Sequence, residues 1–247
     1  MKLKSGQRKA THHQLQEAKR VDALLKSNDP KAQQLGKKLR EHSAMAPYWS
    51  AASANAVFTY KLAARKRISI ATSVRNYRAV TLIPRSGAIP LDEFDVSHLQ
   101  KNERRIRNAY LNAGIGQSNP AFLANDFEFD STRSLVIIHF HGIVHKDDLR
   151  RLDKLRGTKE FRRRPDCYNP IRISPKKPGQ SIFGYIDYMM KFRWFNRPTY
   201  IRTGSNRLHR GRPRQARPHL LVPFLVALAD IHPSKLLFRV GGGKGRH

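Results

Sequence analysis

The chain has 247 residues, enough for one main domain with appendages or for two small domains. Lys and Arg number 48 against 18 Asp and Glu, a formal charge of +30 that works against a compact chain by self-repulsion and points to a polyanionic partner, nucleic acid first. The single cysteine, Cys167, excludes an internal disulfide framework and a Cys-rich zinc site, and suits a reducing cytoplasm.

In chain order, the basic start MKLKSGQRKATHHQ leads into no apolar stretch, so no secretory signal is expected. Leu15, Ala18, Val21, Leu24 and Leu25 recur at helical spacing. Asn28-Asp29-Pro30 breaks that pattern, and Pro30 suits the start of a second helix through Arg40. Residues 46–73 are rich in Ala and Ser and carry no firm assignment. Residues 1–75 therefore read as a basic helical arm.

From about residue 76 the texture changes. Arg78 to Ile83 is a strand ended by Pro84, and Ser97 is placed to cap a helix from His98 to Asn112. Phe122–Asp130 and Leu135–Val144, either side of a polar Ser131-Thr-Arg-Ser134 turn, read as a hairpin. Residues 147–163 look helical, Tyr168 to Ser174 strand-like, and Ser181 to Trp194 helical, with Pro178-Gly179 before and Pro198 after. This order predicts an α+β fold, a central antiparallel sheet with helices packed on it, over residues 76–200. Residues 201–247 form a basic C-terminal segment. Its apolar run, Leu220 to Ile231, is broken by Pro223 and too short to span a bilayer, so a soluble chain without a membrane partner is expected. The end GGGKGRH lacks the loop length and the Ser/Thr of a phosphate-binding loop.

His139 and His141 lie two apart on a strand and share one face, while Val136, Ile138, Phe140 and Val144 line the other. Side-by-side imidazoles suit a divalent metal. With 11 histidines, chance alone yields roughly 0.5 such pairs, so the motif needs support. The hairpin supplies it. A two-residue turn at Thr132-Arg133 makes paired residue numbers sum to 265, setting Asp126 across from His139 and Glu128 across from Ile137. Either acid is then a candidate third ligand. A three-residue turn would instead turn Asn125 and Phe127 to that face.

Tyr188 and Lys191 are three apart in the last helical stretch and are expected on one helix face. A tyrosine oxygen can attack a phosphodiester when its charge is neutralised by a neighbouring ammonium and a metal. Tyr185, one turn earlier, is a candidate second nucleophile or a packing residue. Alone, the stretch reads first as an amphipathic helix with a Tyr, Met and Phe core face.

Together these motifs resemble the HUH endonucleases. His139-Phe140-His141 has their His-hydrophobe-His form, and Tyr188-Met-Met-Lys191 the Tyr-x-x-Lys form of their replication initiators. The 47-residue separation, 188 − 141, is typical of the resemblance, and Val80-Thr-Leu-Ile83 looks like the first-strand motif. The resemblance covers about residues 76–196. It implies a nickase domain, an Mg or Mn cofactor, single-stranded or hairpin DNA as substrate, a 5′-phosphotyrosyl intermediate on Tyr188, and host replication machinery as partner. Lys191 would stabilise developing charge. Relaxases place their tyrosine before the histidines; here it follows, which favours a rolling-circle initiator, with a single-tyrosine transposase as alternative. Some initiators carry a Cys-Pro-x-Cys knuckle, where this chain has Ala46-Pro-Tyr-Trp49, so no structural zinc is inferred. The remaining alternative is a non-catalytic basic nucleic-acid-binding protein.

Beyond that domain, Arg210-Gly-Arg-Pro-Arg214 resembles an AT-hook core. It makes Arg210, Arg212 and Arg214 candidate DNA-binding residues on an extended tail, by groove insertion or by plain phosphate contact. Leu220 to Leu228 is expected to dock after it as a short helix.

Overall fold

The structure is a computed structural model that describes residues 5–42, 46–72, 76–164, 167, 169–174, 181–191, 194–204 and 208–241. Tyr168 of the expected strand, Pro178-Gly179, Phe192 and Arg193 of the expected last helix, and the glycine-rich end beyond Gly241 lie outside them. The chain divides into two units, residues 1–63 with 216–235, and residues 64–215 with 236–247.

The first unit is helical. It contains α1 (Ser5–Leu25), α2 (Pro30–Glu41), the first half of α3 (Ala54–Ala71) and α7 (Pro218–Ala227). Asp29 caps α2 by accepting from the Lys31 amide at 2.9 Å, and Pro30 sits at its first turn, where no amide donor is needed. Leu24, Leu35, Leu39, Phe224 and Leu225 form its core. Residues 50–57 of the Ala/Ser-rich stretch are buried, because small residues allow close approach. There Glu17, itself buried, accepts from Ser53 Oγ at 2.7 Å and from the Ala54 amide at 2.5 Å, taking up an amide that the start of α3 would leave unpaired. The C-terminal segment is thus not one body. Residues 216–235 complete the helical unit, and residues 208–215 and 236–241 belong to the second.

The second unit is α+β. Its strands are β1 (Tyr77–Leu82), β2 (Ala88–Pro90), β3 (Ala121–Asp130), β4 (Leu135–His145), β5 (Ile171–Ile173), β6 (Phe195–Asn196), β7 (Thr199–Ile201), β8 (Leu208–Arg210), β9 (Arg214–Gln215) and β10 (Leu237–Val240). The main path runs β5-β1-β4-β3-β6-β9, with β2 also on β4 and β10 also on β3; β7 and β8 form a separate pair. All pairs are antiparallel except β3–β6, so the sheet is mixed where a purely antiparallel one was expected. The short β6 arrives after a helical crossover from the opposite edge, a connection that permits parallel pairing.

The helices of this unit are α4 (Val96–Asn112), α5 (Leu149–Arg156) and α6 (Ile182–Met189). Asp95, not Ser97, caps α4: its Oδ1 accepts from the His98 amide at 3.2 Å and from Ser97 Oγ at 2.6 Å. Strands β3 and β4 have partners along both edges, which explains why they are buried almost throughout. On one face Phe127 meets Phe94 and Trp194 edge to face, with ring centroids 6.2 Å apart in both pairs. Gly142 is needed beside His141, since a Cβ there would lie 2.6 Å from the Phe122 carbonyl oxygen.

Candidate metal centre and tyrosine helix

The β3–β4 register is the one a two-residue turn demands. Asp126 pairs with His139, Glu128 with Ile137, and Ala124 with His141. Period-two alternation puts Asp126, Glu128, His139 and His141 on one face. The small Ala124 opposite His141 leaves room for Asp126 to reach both imidazoles, one directly across and one on the diagonal. Asp126 Oδ2 lies 3.2 Å from His139 Nε2 and 3.1 Å from His141 Nε2.

Asp126, His139 and His141 can hold a metal ion: their donor atoms all lie within 4.8 Å of one another, and all three residues are buried. Donors about 2.1 Å from one ion at right angles sit about 3 Å apart, which is the spacing of Asp126 Oδ2 from each imidazole nitrogen. The donor chemistry agrees. His141 Nδ1 is 3.0 Å from Thr81 Oγ1, paired through β1, where Thr81 lies opposite His141. A tautomer donating Nδ1–H to Thr81 leaves the Nε2 lone pair facing Asp126. Among the described residues, Asp126 Oδ1 and His141 Nε2 are buried with no hydrogen-bond partner, so neither is committed elsewhere. Two imidazole nitrogens and one carboxylate leave further coordination positions open.

Electrostatics prepare the ligands. Burial pushes the His141 pKa down to about 4, more than Asp126 raises it, so the ring is neutral at pH 7. Burial pushes the Asp126 carboxyl up, but the hydrogen bond from His139 and the charge of Lys191 outweigh it. The carboxylate is held well below its usual range.

Glu128 does not join this cluster. Its Oε1 is 2.5 Å from Arg197 Nε and its Oε2 3.1 Å from Arg210 Nη1. It lies two residues along β3 from Asp126, about 7 Å at the rise of a strand, and two guanidinium groups occupy it. Of the two candidate acids, Asp126 is therefore the one beside the histidines.

Helix α6 begins where the Ser181 hydroxyl accepts from the Gly184 amide at 3.2 Å. Its apolar face, Tyr185, Ile186 and Met189, is buried and packs on β4 and β1. Tyr185 is fully buried and its hydroxyl has no hydrogen-bond partner among the described residues, so the structure makes it a packing residue. Tyr188 sits at the edge of that face, 43% exposed, its ring centroid 4.8 Å from that of His141. Lys191 does not share the helix face. The helix ends at Met189, Met190 turns at φ −104° and ψ 40°, and Lys191 follows outside the helix. That turn brings its Nζ 3.2 Å from Asp126 Oδ2 and 5.4 Å from the Tyr188 ring centroid.

The AT-hook-like stretch is not a free tail. Arg210 ends β8 and grips Glu128, Arg214 starts β9 on β6, and the Gly211 amide donates to the Pro198 carbonyl at 2.8 Å. Arg212 and Arg214 are exposed; Arg210 is committed to an internal ion pair.

Sequence reading missed Thr81, Arg197 and the paired role of Arg210. Thr81 carried a usable signal, since a buried hydroxyl residue in an apolar strand needs a partner. The arginines carried none, because their partners are about 70 and 82 residues away. No helix of the described residues is long and apolar enough to cross a membrane. No protein-family model, curated protein or solved structure matches the chain.

Proposed function

We propose that the chain is a metal-dependent single-strand DNA endonuclease and strand transferase of the HUH type, which nicks an origin to start rolling-circle replication. The observation that carries this reading is the convergence of Asp126, His139 and His141 with Lys191 and the exposed ring of Tyr188 on one sheet face. The order of elements supports it too: a His-hydrophobe-His pair on a central strand, an acid from the neighbouring strand, and a tyrosine on a later helix.

Asp126, His139 and His141 are the residues that would hold Mg or Mn, which supplies Lewis-acid polarisation of the scissile phosphate when bound. Tyr188 is exposed enough to meet a strand and leans on the ring of His141. Its Oη forms a bond to phosphorus as the phosphorus–O3′ bond breaks. The phenol loses its proton, and the departing 3′ oxygen gains one to become a 3′-OH. The products are a 5′-phosphotyrosyl link, which conserves the energy of the broken bond, and a primer end for replication machinery. Lys191, within reach of Asp126 and of the tyrosine ring, is positioned to donate to the phosphate and offset developing charge. The charge of +30 supports DNA as partner.

The test is a covalent-adduct assay with labelled single-stranded circles and oligonucleotides plus Mn. A shifted band on a denaturing gel, lost in Tyr188→Phe and retained in Tyr185→Phe, is expected. No band from any substrate, with DNA binding intact, would replace this reading with a non-catalytic nucleic-acid binder.

A further inference from the structure

Residues 194–217 contain seven arginines and no acidic residue. The β7–β8 pair at their centre is firmly seated on β3. Thr199 donates through its amide and hydroxyl to buried Asp130 at 3.1 and 2.8 Å, and Arg210 reaches Glu128. In the register, Thr199 pairs with Arg210 and Tyr200 with His209. Alternation therefore sends Thr199 and Arg210 inward and Tyr200 and His209 to the opposite face. There the two rings stack, centroids 5.7 Å apart at 26°. Tyr200 is 52% exposed and Ile201 67%. Arg202, Arg212 and Arg214 are exposed around them, and none has an acidic partner among the described residues. An aromatic ring presented to solvent, amid cations without acidic partners among the described residues, is what a single strand of nucleic acid needs. Each unpaired base offers a face to stack, and each phosphate a charge. A duplex offers the charge and hides the faces.

We infer that the β7–β8 hairpin is a binding site for single-stranded DNA, with a base stacked on Tyr200 and phosphates on Arg202, Arg212 and Arg214. The choice of DNA rests on the nickase reading. The anchor on Glu128, two residues along β3 from Asp126, lets this hairpin hold the strand that runs to the metal centre. His209 stacks on the Tyr200 ring from the neighbouring strand.

The experiment is fluorescence anisotropy of the full chain in EDTA, so that no transfer occurs. The probes are labelled oligodeoxythymidylate and a duplex of equal length. Tyr200→Ala should weaken single-strand binding by about 5- to 150-fold and leave duplex binding unchanged, while Tyr200→Trp restores it. Replacing the three arginines by Ala should lower the slope of log affinity against log salt by about 2 for the single strand. Tyr200→Ala affecting neither probe, or both equally, overturns the proposal. So does Tyr200-dependent binding to phosphatidylserine vesicles with oligonucleotide affinity unchanged, which would make the hairpin a membrane contact. The two readings fail separately. Tyr200-selective binding without any Tyr188 adduct sinks the nickase and keeps the hairpin. An adduct formed without Tyr200 dependence of binding sinks the hairpin alone.

Discussion

Thr81→Val keeps the shape of a buried side chain and removes one atom, the Oγ1 that lies 3.0 Å from His141 Nδ1. Two costs follow. The imidazole N–H is left buried without an acceptor, worth about 1–3 kcal/mol. In a chain of this size that lowers the thermal midpoint by about 2–12 °C. The ring also loses what fixes its tautomer, and losing such a partner weakens metal binding about 10- to 100-fold. At an Mn concentration 100 times the wild-type Kd, the ion stabilises wild type by about 2.7 kcal/mol. The variant at the same concentration gains only about 1.4 to 0.4 kcal/mol. Calorimetric titration with Mn and melting curves with and without Mn read both effects. Thr81→Ser, which keeps the oxygen, should restore Mn affinity. Wild-type Mn affinity and an unchanged midpoint in Thr81→Val would refute the reasoning that Thr81 orients a metal ligand.

Glu128→Gln removes the charge that Arg197 and Arg210 grip; both arginines are part-exposed, so the loss is about 1–2 kcal/mol. Hydrogen exchange should quicken across 199–210 while Mn affinity stays within a few-fold, whereas Asp126→Asn should abolish Mn binding; a collapse of Mn affinity in Glu128→Gln would return Glu128 to the ligand set. Tyr185→Phe deletes a buried hydroxyl without a partner among the described residues, so the thermal midpoint should rise by a few degrees, about 1 kcal/mol, and a fall would reveal a bond that the hydroxyl makes. His141 sets a pH dependence in the metal-free protein. Its folded pKa of about 4 lies below the unfolded value near 6.5, so the unfolded chain binds the extra proton between them. Stability should therefore fall as pH drops from 6.5 to about 4, by at most about 3 kcal/mol from this group. Melting curves of wild type and His141→Gln should diverge in that window, and parallel curves would show that the ring is not held neutral.

Much of the centre was legible from residues alone. The pairing sum of 265 followed from a two-residue turn and strand alternation, both local rules, and it set Asp126 across from His139. Asp29-Pro30 before α2 and the apolar spacing of α1 were likewise local signals. Elsewhere local rules were too coarse. Ser97 and Asp95 are both good caps, and the choice falls on whichever oxygen reaches the His98 amide.

Long-range contacts, by contrast, were set by the packed chain alone. Alternation of side-chain direction put the two imidazoles on one face of their strand and the two carboxylates on one face of theirs, but bringing the two pairs together needed the register, which the turn length sets. The sequence by itself could not determine that Arg197 and Arg210 claim Glu128, since no periodicity links residues about 70 and 82 apart. Nor could helical periodicity show that α6 stops at Met189 and sends Lys191 back to Asp126, or that residues 216–235 return to the N-terminal helices. Those outcomes depend on which buried charges and apolar faces remain unmatched once the sheet has formed. That is a property of the packed chain rather than of any one segment.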